Sequence, residues 1–219
     1  MIAVIDYGIG NLRSAHKALL SVGADAALVS DPDAVVSADA VVLPGVGNFG
    51  ACVKALRSAG LEAAVREVVA ARRPFLGICV GMQMLYEGSE ESPDVEGIAI
   101  LPGVVRRLPD GVKRPQMQWN RLDVRDSSVA LLSGLDSQPW VYFVHSYAAP
   151  DGPEVVATCE YGVDVPAVVV AHSVWATQFH PEKSGAVGLA MLSNFAGFAA
   201  SGFEAPGFEA PGLAPRAAL

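Results

Sequence analysis

The sequence predicts a three-layer α/β fold in which a mostly parallel, doubly wound sheet carries helices on both faces. Short apolar runs alternate with helical stripes along the first ninety residues. These runs are apolar at successive positions, as in parallel strands that are buried on both faces. Beyond Gly97 the chain changes to short runs of Val, Leu and Tyr separated by Pro, Gly, Asp and Ser, which predicts additional antiparallel strands in the second half.

The first half supplies the parallel layer and its helices. Residues Met1–Asp6 form a strand-like run, and Leu12, Ala15, Leu19 and Val22 then follow at spacings of 3, 4 and 3, which places them on one face of a helix. Further strands are expected at Ala26–Val29, Ala40–Leu43 and Pro74–Cys79, with one or two helices over Phe49–Ala71. Such an alternation of strands and helices is typical of a parallel sheet.

The second half contains shorter strands and one final helix. Strands are expected at Trp119–Val124, Trp140–Val144, Glu154–Glu160 and Ala167–His172. From Gly185 onward, Val187, Met191, Phe195 and Phe198 recur at spacings of 4, 4 and 3. This pattern predicts a helix that closes the core.

One domain over residues 1–200 accounts for these elements, since a chain of this length can bury one sizeable core. The unit Gly-Phe-Glu-Ala-Pro then occurs twice in tandem between Gly202 and Gly212. Pro and Gly at this density disfavour both helix and sheet. Residues 201–219 are therefore expected to form a disordered Gly/Pro/Ala-rich tail.

The composition excludes several kinds of partner. Fifteen Lys and Arg oppose 23 Asp and Glu, and the resulting formal charge of -8 repels nucleic acid and anionic lipid. No apolar stretch is long enough to cross a bilayer as a helix, and the N-terminus lacks the pattern of a secretion signal. A cytoplasmic protein without nucleic acid or membrane partners is therefore expected.

The cysteines and histidines show no metal-binding spacing. Cys52, Cys79 and Cys159 include no CxxC pair, and the four histidines are not grouped as HxH or HxxxH. An odd number of cysteines in an intracellular chain leaves at least one thiol available for chemistry. We expect neither a metal nor another cofactor.

The segment Gly77–Gly81, with the sequence Gly-Ile-Cys-Val-Gly, has the form of a nucleophile elbow between a buried strand and a helix. Such a turn holds its middle residue in a strained conformation, and the glycines leave room for the neighbouring chain. Cys79 would then lie at the carboxyl edge of the sheet, next to a helix N-terminus that favours the thiolate. An isolated motif of this form is also compatible with a small buried cysteine, which is the interpretation given to Cys52 and Cys159.

A thiolate that attacks an amide needs a base to carry the proton and a partner to orient that base. His180 and Glu182 lie two residues apart at the end of a strand-like run, so their side chains can point to the same side. Pro181 stiffens the turn between them. The tripeptide alone is also compatible with a surface histidine next to a solvated carboxylate.

The oxyanion formed in such a reaction needs two backbone N–H groups. The segment Pro44–Gly50 follows a buried strand and holds three glycines in six residues, so one of its peptides can turn its N–H towards the site. Val80 would supply the other N–H group. Glycines after a strand are also common turn residues. This segment therefore supports an oxyanion site only in combination with the Cys79 and His180 motifs.

Taken together and in this order, these motifs resemble the class I glutamine amidotransferases, which use a Cys-His-Glu triad on a doubly wound sheet. More narrowly, residues 1–200 resemble the family of glutaminase subunits of imidazole glycerol phosphate synthase, which serves histidine biosynthesis. The motifs that carry the resemblance are Tyr7–Leu12, Pro44–Gly47, Gly77–Gln83, Trp119–Asn120, Tyr142–Tyr147 and Phe179–Ser184.

The resemblance implies that Cys79, His180 and Glu182 hydrolyse glutamine to glutamate and ammonia. It implies that the ammonia passes directly into a separate cyclase subunit with a (β/α)8 barrel, which forms a heterodimer with this chain and makes imidazole glycerol phosphate and AICAR. Direct passage keeps the ammonia unprotonated. The residues implied in substrate binding are Gly45, Gly47, Val80, Gln83, Glu91, Ser146 and Tyr147, and those implied at the partner interface are Asn11, Trp119, Asn120 and Lys183.

Two of these assignments have alternatives. Glu91 could pair with the substrate ammonium or could be a solvated member of the acidic run Glu87–Glu91, and Trp119 taken alone fits ordinary core packing. The family usually has His-Met-Gly-Trp-Asn where this chain has Gln116–Asn120. Because Gln118 does not adopt positive φ as readily as glycine, the interface loop could follow another path.

Three other functions compete with this interpretation. The first is the glutaminase subunit of another class I pathway, such as pyridoxal phosphate synthesis, and the second is a cysteine peptidase or esterase with the same elbow. Assays on peptides and esters beside glutamine would distinguish the second. The third is a non-catalytic regulatory subunit, which the presence of all three triad residues disfavours. A dinucleotide site at Gly8–Arg13 is disfavoured because the third glycine of that motif is missing.

Overall fold

The computed structural model describes residues 1–201. The predicted tail lies outside the described residues except for Ser201, which ends the last helix. The helices are α1 (Leu12–Ser21), α2 (Pro32–Ser37), α3 (Phe49–Ser58), α4 (Leu61–Ala70), α5 (Val80–Gln83) and α6 (Gly185–Ser201). The strands are β1 (Ile2–Ile5), β2 (Ala26–Val29), β3 (Ala40–Gly45), β4 (Phe75–Cys79), β5 (Gly88–Ser89), β6 (Val104–Arg107), β7 (Gln116–Arg121), β8 (Asp123–Val124), β9 (Trp140–His145), β10 (Tyr147–Ala148), β11 (Val155–Glu160), β12 (Asp164–Ala171) and β13 (Val174–Thr177).

Eight strands form the central sheet, in the order β2-β1-β3-β4-β13-β12-β11-β8. The pairs from β2 to β13 are parallel, and those from β13 to β8 are antiparallel. The parallel strands β1, β3 and β4 are buried along their whole length, which explains their uninterrupted apolar sequences. The predicted fold class is therefore confirmed, including the antiparallel strands of the second half.

Helices cover the sheet in two groups. Helices α1 and α6 contact each other, whereas α2 and α3 both contact α4. Met191 and Phe195 of α6 are fully buried and Val187 and Phe198 are partly buried, as the sequence periodicity predicts. Phe49–Ala71 contains two helices, α3 and α4, which are separated at Gly60 with φ +71°. The last helix closes the core.

A two-stranded ribbon stands beside the central sheet. Its strands β7 and β9 are antiparallel, with Gln116 opposite His145 and Arg121 opposite Trp140. A second small sheet joins β10, β6 and β5 in that order. Helix α2 and strands β5, β6 and β10 lie in segments for which the sequence pattern gave no element. Within the described residues, no helix combines the length and apolar composition needed to cross a membrane.

Candidate active site

Cys79 occupies the sharp turn that the sequence predicts between β4 and α5. Its backbone has φ 55° and ψ -112°, a left-handed conformation that side chains rarely adopt. Close packing around the turn keeps Cys79 in this strained conformation. At Gly81 the packing is so tight that a Cβ would collide with the carbonyl oxygen of Leu43 on the neighbouring strand. Helix α5 is only four residues long, so its dipole is much weaker than that of a full helix.

The glycine loop after β3 lies directly against this turn. Gly45 is paired with Cys79 in the parallel register of β3 and β4. A Cβ on Gly45 would lie 2.5 Å from the backbone nitrogen of Gly81, so only glycine permits this approach. Gly47 has φ +88°, which also favours glycine. The two motifs therefore meet at the same edge of the sheet.

His180 reaches the same edge from the other side of β4. Strand β13 runs parallel to β4, with Thr177 opposite Ile78, and His180 follows three residues after Thr177. Nδ1 of His180 lies 2.8 Å from Oε1 of Glu182, and both side chains are buried. The carboxylate can only accept, so Nδ1 carries the hydrogen and Nε2 is the nitrogen available to Cys79.

The local geometry of this pair differs from the strand-like alternation expected. Residues Pro181–Lys183 form a 3₁₀ turn that begins after His180. The turn is held by Ser184, whose Oγ donates to the His180 carbonyl at 2.7 Å and accepts from the Tyr142 backbone N–H at 3.0 Å. Asn11 Nδ2 donates to Oε1 of Glu182 at 3.3 Å. Proline at the first position of the turn, and not strand periodicity, brings the carboxylate to the imidazole.

The charge state of His180 depends on its two neighbours. Burial lowers the pKa of His180, but hydrogen bonds to Cys79 and Glu182 outweigh burial and raise its pKa to about 9. Below that pH the imidazole is positively charged. His180 then carries a positive charge next to the sulfur of Cys79.

The other two cysteines have no such partners. Burial raises the pKa of the Cys52 thiol, and burial raises the pKa of Cys159 to about 11. Cys52 lies in α3 and Cys159 in β11, as packing residues. Among residues 1–201, no three histidine, cysteine or acidic side chains are grouped closely enough to hold a metal ion.

An open cavity of about 570 Å³ lies above these groups. It is bounded by Cys79 and His180 at its base and by the glycine loop, the elbow and the segment after β9. Predicted site residues that line it are Asn11, Gly47, Cys79, Val80, Gln83, Glu91, Ser146, Tyr147, His180 and Lys183. Glu182 and Gly45 do not line the cavity. Glu182 contacts His180 through Nδ1, and Gly45 packs against the backbone of Val80 and Gly81.

Two polar side chains on the cavity wall have defined partners. Glu91 accepts a hydrogen bond from the Phe49 backbone N–H at 2.6 Å, at the start of α3. It is therefore not simply a solvated member of an acidic run. Gln83 donates through Nε2 to the Tyr147 carbonyl at 2.9 Å and to Oε1 of Gln178 at 3.0 Å. Its own carbonyl oxygen is the group left to meet a ligand.

Trp119 and Asn120 lie outside the cavity, on strand β7 of the ribbon. Trp119 is 47% exposed, which contradicts the core packing that its residue type favours. Its ring approaches Gly185 at the start of α6, where a Cβ would lie 3.8 Å away. Asn120 is partly buried and donates to the Glu160 carbonyl at 2.8 Å.

The outward side of the ribbon is aromatic. Met117 is 61% exposed and Trp140 is 53% exposed, and the rings of Trp119 and Tyr142 meet edge to face with centroids 6.1 Å apart. We call these four residues the ribbon face. A solvent-exposed apolar surface of this kind is typical of a protein-binding site.

Gln118 lies in a regular strand of this chain and not in a loop. It lies within β7, opposite Phe143, and is not among the residues with positive φ. The position needs no glycine, because the backbone is extended there. Gln116 is fully buried, and its Nε2 lies 3.6 Å from Sγ of Cys159. Both substitutions are accommodated by regular strand geometry.

Three side chains at the site were not singled out from the sequence. Gln178 is fully buried and its Nε2 lies 3.8 Å from Sγ of Cys79. His145 lines the cavity, and burial lowers its pKa to about 4, so it is neutral. The hydroxyl of Tyr7 donates to the Pro44 carbonyl at 2.8 Å, just before the glycine loop. Tyr7 and His145 lie inside motifs noted for other residues, and Gln178 directly precedes the motif Phe179–Ser184, which was the available signal.

Comparison with known proteins defines the class. The family model described as glutamine amidotransferase class-I matches residues 3–197. The chain therefore belongs to the class I glutamine amidotransferases, a family of enzymes. The imidazole glycerol phosphate synthase subunit HisH of Bacillus cereus strain AH187 is 45% identical over 198 residues, which cover 90% of this chain and 94% of that protein. HisH of Bacillus anthracis strain A0248 is 44% identical over the same shares. The chain thus belongs to the HisH family of glutamine amidotransferase subunits.

Solved structures agree on the fold. A crystal structure of a glutamine amidotransferase superposes with a TM-score of 0.72 at 23% identity, covering 91% of this chain and all of that one (100%). A structure of PurLQS from Thermotoga maritima gives a TM-score of 0.68 at 19% identity, covering 90% of this chain and 97% of that one. At these identities the likeness concerns the fold alone.

Proposed function

We propose that this chain hydrolyses glutamine to glutamate and ammonia with Cys79 as nucleophile, His180 as general acid and base, and Glu182 as the group that orients His180. The observation that carries the proposal is that Cys79 and His180 meet at one cavity while Glu182 contacts His180 from behind. Nδ1 of His180 contacts Glu182 at 2.8 Å, and His180 and Cys79 line the same cavity. The histidine is thus held from one side and faces the sulfur on the other.

The reaction follows the logic of a nucleophile paired with a base. The Cys79 thiolate attacks the side-chain amide carbon of glutamine, and the charged His180 gives its proton to the departing nitrogen, which leaves as ammonia. Water then attacks the thioester, His180 accepts a proton from it, and the sulfur leaves as thiolate with release of glutamate. The conformation of Cys79, with φ 55°, presents the sulfur to the cavity.

The cavity walls supply the remaining functions. We assign the oxyanion site to the Val80 N–H and to a peptide of the loop that contains Gly45 and Gly47. Glu91 and the carbonyl oxygen of Gln83 are suited to the substrate ammonium, because both residues line the cavity and their oxygens are hydrogen-bond acceptors. The backbone of Ser146 and Tyr147 closes the pocket for the amino-acid end of glutamine.

The ammonia is delivered to a separate cyclase subunit with a (β/α)8 barrel, which makes imidazole glycerol phosphate and AICAR in histidine biosynthesis. This inference rests on the name of the HisH relatives, which are subunits of imidazole glycerol phosphate synthase. We place the heterodimer interface at the cavity mouth, with Asn11 and Lys183, and on the ribbon, with Trp119 and Asn120. We also infer a cytoplasmic location, where the three free cysteines stay reduced.

The test is a glutaminase assay of the full chain with and without its cognate cyclase and the cyclase's ligand. Cys79→Ala should abolish the glutamine-dependent reaction and leave the ammonia-dependent synthesis by the complex intact, because only ammonia formation needs the thiolate. Cys159→Ala is the matched control, since Cys159 is a buried cysteine in β11 that does not line the cavity. Loss of both reactions in Cys79→Ala would contradict the proposal.

The same assay separates the competing functions. Turnover of peptides or esters in place of glutamine would indicate a general cysteine hydrolase. An inactive wild-type complex would indicate a regulatory subunit. Activity only with the pyridoxal phosphate synthase partner would indicate the other pathway, which the 45% identity to HisH disfavours.

A further inference from the structure

The sulfur of Cys79 has a second polar neighbour besides His180. Nε2 of Gln178 lies 3.8 Å from Sγ, within the longer range of hydrogen bonds to sulfur. Gln178 is fully buried, and it follows Thr177, the last residue of β13. Its backbone N–H donates to the Ala167 carbonyl at 2.9 Å, so the residue is fixed to the sheet.

Which end of the Gln178 amide faces the sulfur follows from a chain of contacts. The Tyr147 carbonyl can only accept, so the Gln83 group 2.9 Å away from it must be the Nε2 donor. The same Nε2 lies 3.0 Å from the oxygen of Gln178, which therefore accepts. The Gln178 amide then has only its N–H groups to present to Cys79. A single backbone carbonyl thus fixes the orientation of two side-chain amides.

We propose that Gln178 is a further catalytic residue, whose side-chain amide donates a hydrogen bond to the Cys79 thiolate. The contact is made to the reacting sulfur itself. A donor stabilises the charged form of an acid, so it increases the fraction of Cys79 that is ready to attack. This inference rests on the proposed function of Cys79 and adds a group that the triad does not contain.

The geometry explains why such a donor is useful here. Helix α5 contains only Val80–Gln83, so it offers the sulfur little of the field that a long helix would provide. His180 must also release its proton during the reaction and cannot remain charged throughout. Gln178 is neutral and does not change its protonation, so its donor is present at every step.

The experiment measures the alkylation of Cys79 by iodoacetamide in the full chain as a function of pH, with mass spectrometry reading each cysteine separately. In Gln178→Met the side chain keeps a similar length but loses the donor. The alkylation rate of Cys79 at pH 7 should fall about tenfold, the lower end of what the loss of one hydrogen bond to a charged group gives, and the pH–rate profile should move to higher pH. Gln178→Asn withdraws the same amide from the sulfur and should act in the same direction if the Met variant does not fold.

Gln116→Met is the matched control. Gln116 is a fully buried glutamine whose Nε2 lies 3.6 Å from Sγ of Cys159, so it makes the same kind of contact to a cysteine outside the site. Its replacement should leave the Cys79 profile unchanged. An unchanged profile in the Gln178 variants, with reactive wild-type Cys79, would overturn this inference alone. A wild-type Cys79 no more reactive than Cys52 at neutral pH would instead count against the proposed nucleophile.

Discussion

Nδ1 of His180 lies 2.8 Å from Oε1 of Glu182, and this contact decides which nitrogen of the imidazole faces the sulfur. Because the carboxylate accepts, the hydrogen is on Nδ1 and the lone pair of the neutral ring is on Nε2. The opposite tautomer would present N–H to Cys79 and could not take a proton from that side. The orientation of the base is thus set by a residue that does not line the cavity.

Glu182→Gln tests this relationship. The amide can turn its N–H₂ towards Nδ1 and favour the wrong tautomer, so kcat for glutamine hydrolysis should fall by roughly 10² to 10⁴. The ammonia-dependent reaction of the complex should persist. Steady-state kinetics of both reactions provide the measurement.

Glu67→Gln is a suitable control for that variant, since Glu67 is an exposed acid on α4. It removes one negative charge without touching the site. A Glu182→Gln enzyme as active as this control would show that the carboxylate does not orient the base.

The raised pKa of His180 predicts a pH-dependent contribution to stability. Its pKa is raised from 6.5 to about 9 by hydrogen bonds to Cys79 and Glu182, against the effect of burial. The stabilisation is fully present below pH 6.5 and is lost as the pH rises through about 9. A shift of this size corresponds to on the order of 3 kcal/mol.

His180→Gln should therefore lose more free energy of unfolding, relative to wild type, at pH 6 than at pH 10. Denaturant unfolding at the two pH values measures the difference. In the Cys79→Ala background the pH-dependent part should shrink, because one of the two partners is gone. A His180→Gln penalty that is the same at both pH values would disprove the coupling.

Gly45→Ala should disturb the loop next to the elbow. The new Cβ would lie 2.5 Å from the backbone nitrogen of Gly81, and backbone cannot move aside as a side chain can. We expect a loss of about 1–3 kcal/mol in unfolding free energy together with a large loss of kcat, since the loop holds a proposed oxyanion donor. Thermal unfolding and glutaminase kinetics measure the two effects.

Gly197→Ala provides the comparison for Gly45→Ala. Gly197 lies in α6, and an added Cβ would meet nothing within 4 Å. Alanine in a helix should raise stability by about 0.5–1 kcal/mol, and activity should not change. If both alanine variants behaved alike, the tight contact at Gly45 would not be the cause.

Trp119→Ala should weaken binding to the cyclase. Trp119 is 47% exposed on the ribbon face, so its removal should cost little stability in the free chain. A buried aromatic at the centre of an interface contributes about 2 kcal/mol or more, which is roughly a thirtyfold change in Kd. Titration calorimetry with the cyclase measures Kd.

The control for the interface is Leu28→Ala. Leu28 is 37% exposed on β2, the outermost strand at the far end of the sheet from β11, which contacts the ribbon. It should leave Kd unchanged. Equal effects of the two variants would place the interface elsewhere.

The parallel half of the fold could be predicted from the sequence because its strands are buried on both faces and therefore read as continuous apolar runs. Strands β5, β6 and β10 could not, since they are short and pair with each other through backbone groups that no residue pattern marks. The exposure of the Trp119 side chain could not be predicted from the sequence either. Tryptophan is usually buried, and only the pairing of β7 with β9 shows that its side faces outward.

The site residues divide in the same way. The sequence motifs around Cys79, His180 and Glu182 have the residue types and spacing that a nucleophile, a base and its orienting carboxylate require. No such motif marks Gln178, because its relevance depends on the orientation of an amide that is fixed by Gln83 and a distant carbonyl. Gln83 is 95 positions from Gln178 and 64 positions from Tyr147, and local residue spacing gives no indication of contacts between such distant positions.

Strands β4 and β13 are the fourth and fifth of the eight in the central sheet. Strands in the middle of a sheet separate only when their neighbours on both sides give way, so their amide hydrogens should be among the slowest to exchange with solvent. Cys79, which ends β4, and His180, which follows shortly after β13, should therefore keep a nearly constant separation during local opening of the structure. Any acceleration of turnover by a bound subunit would have to act through the surrounding loops, which can move without disturbing this rigid centre.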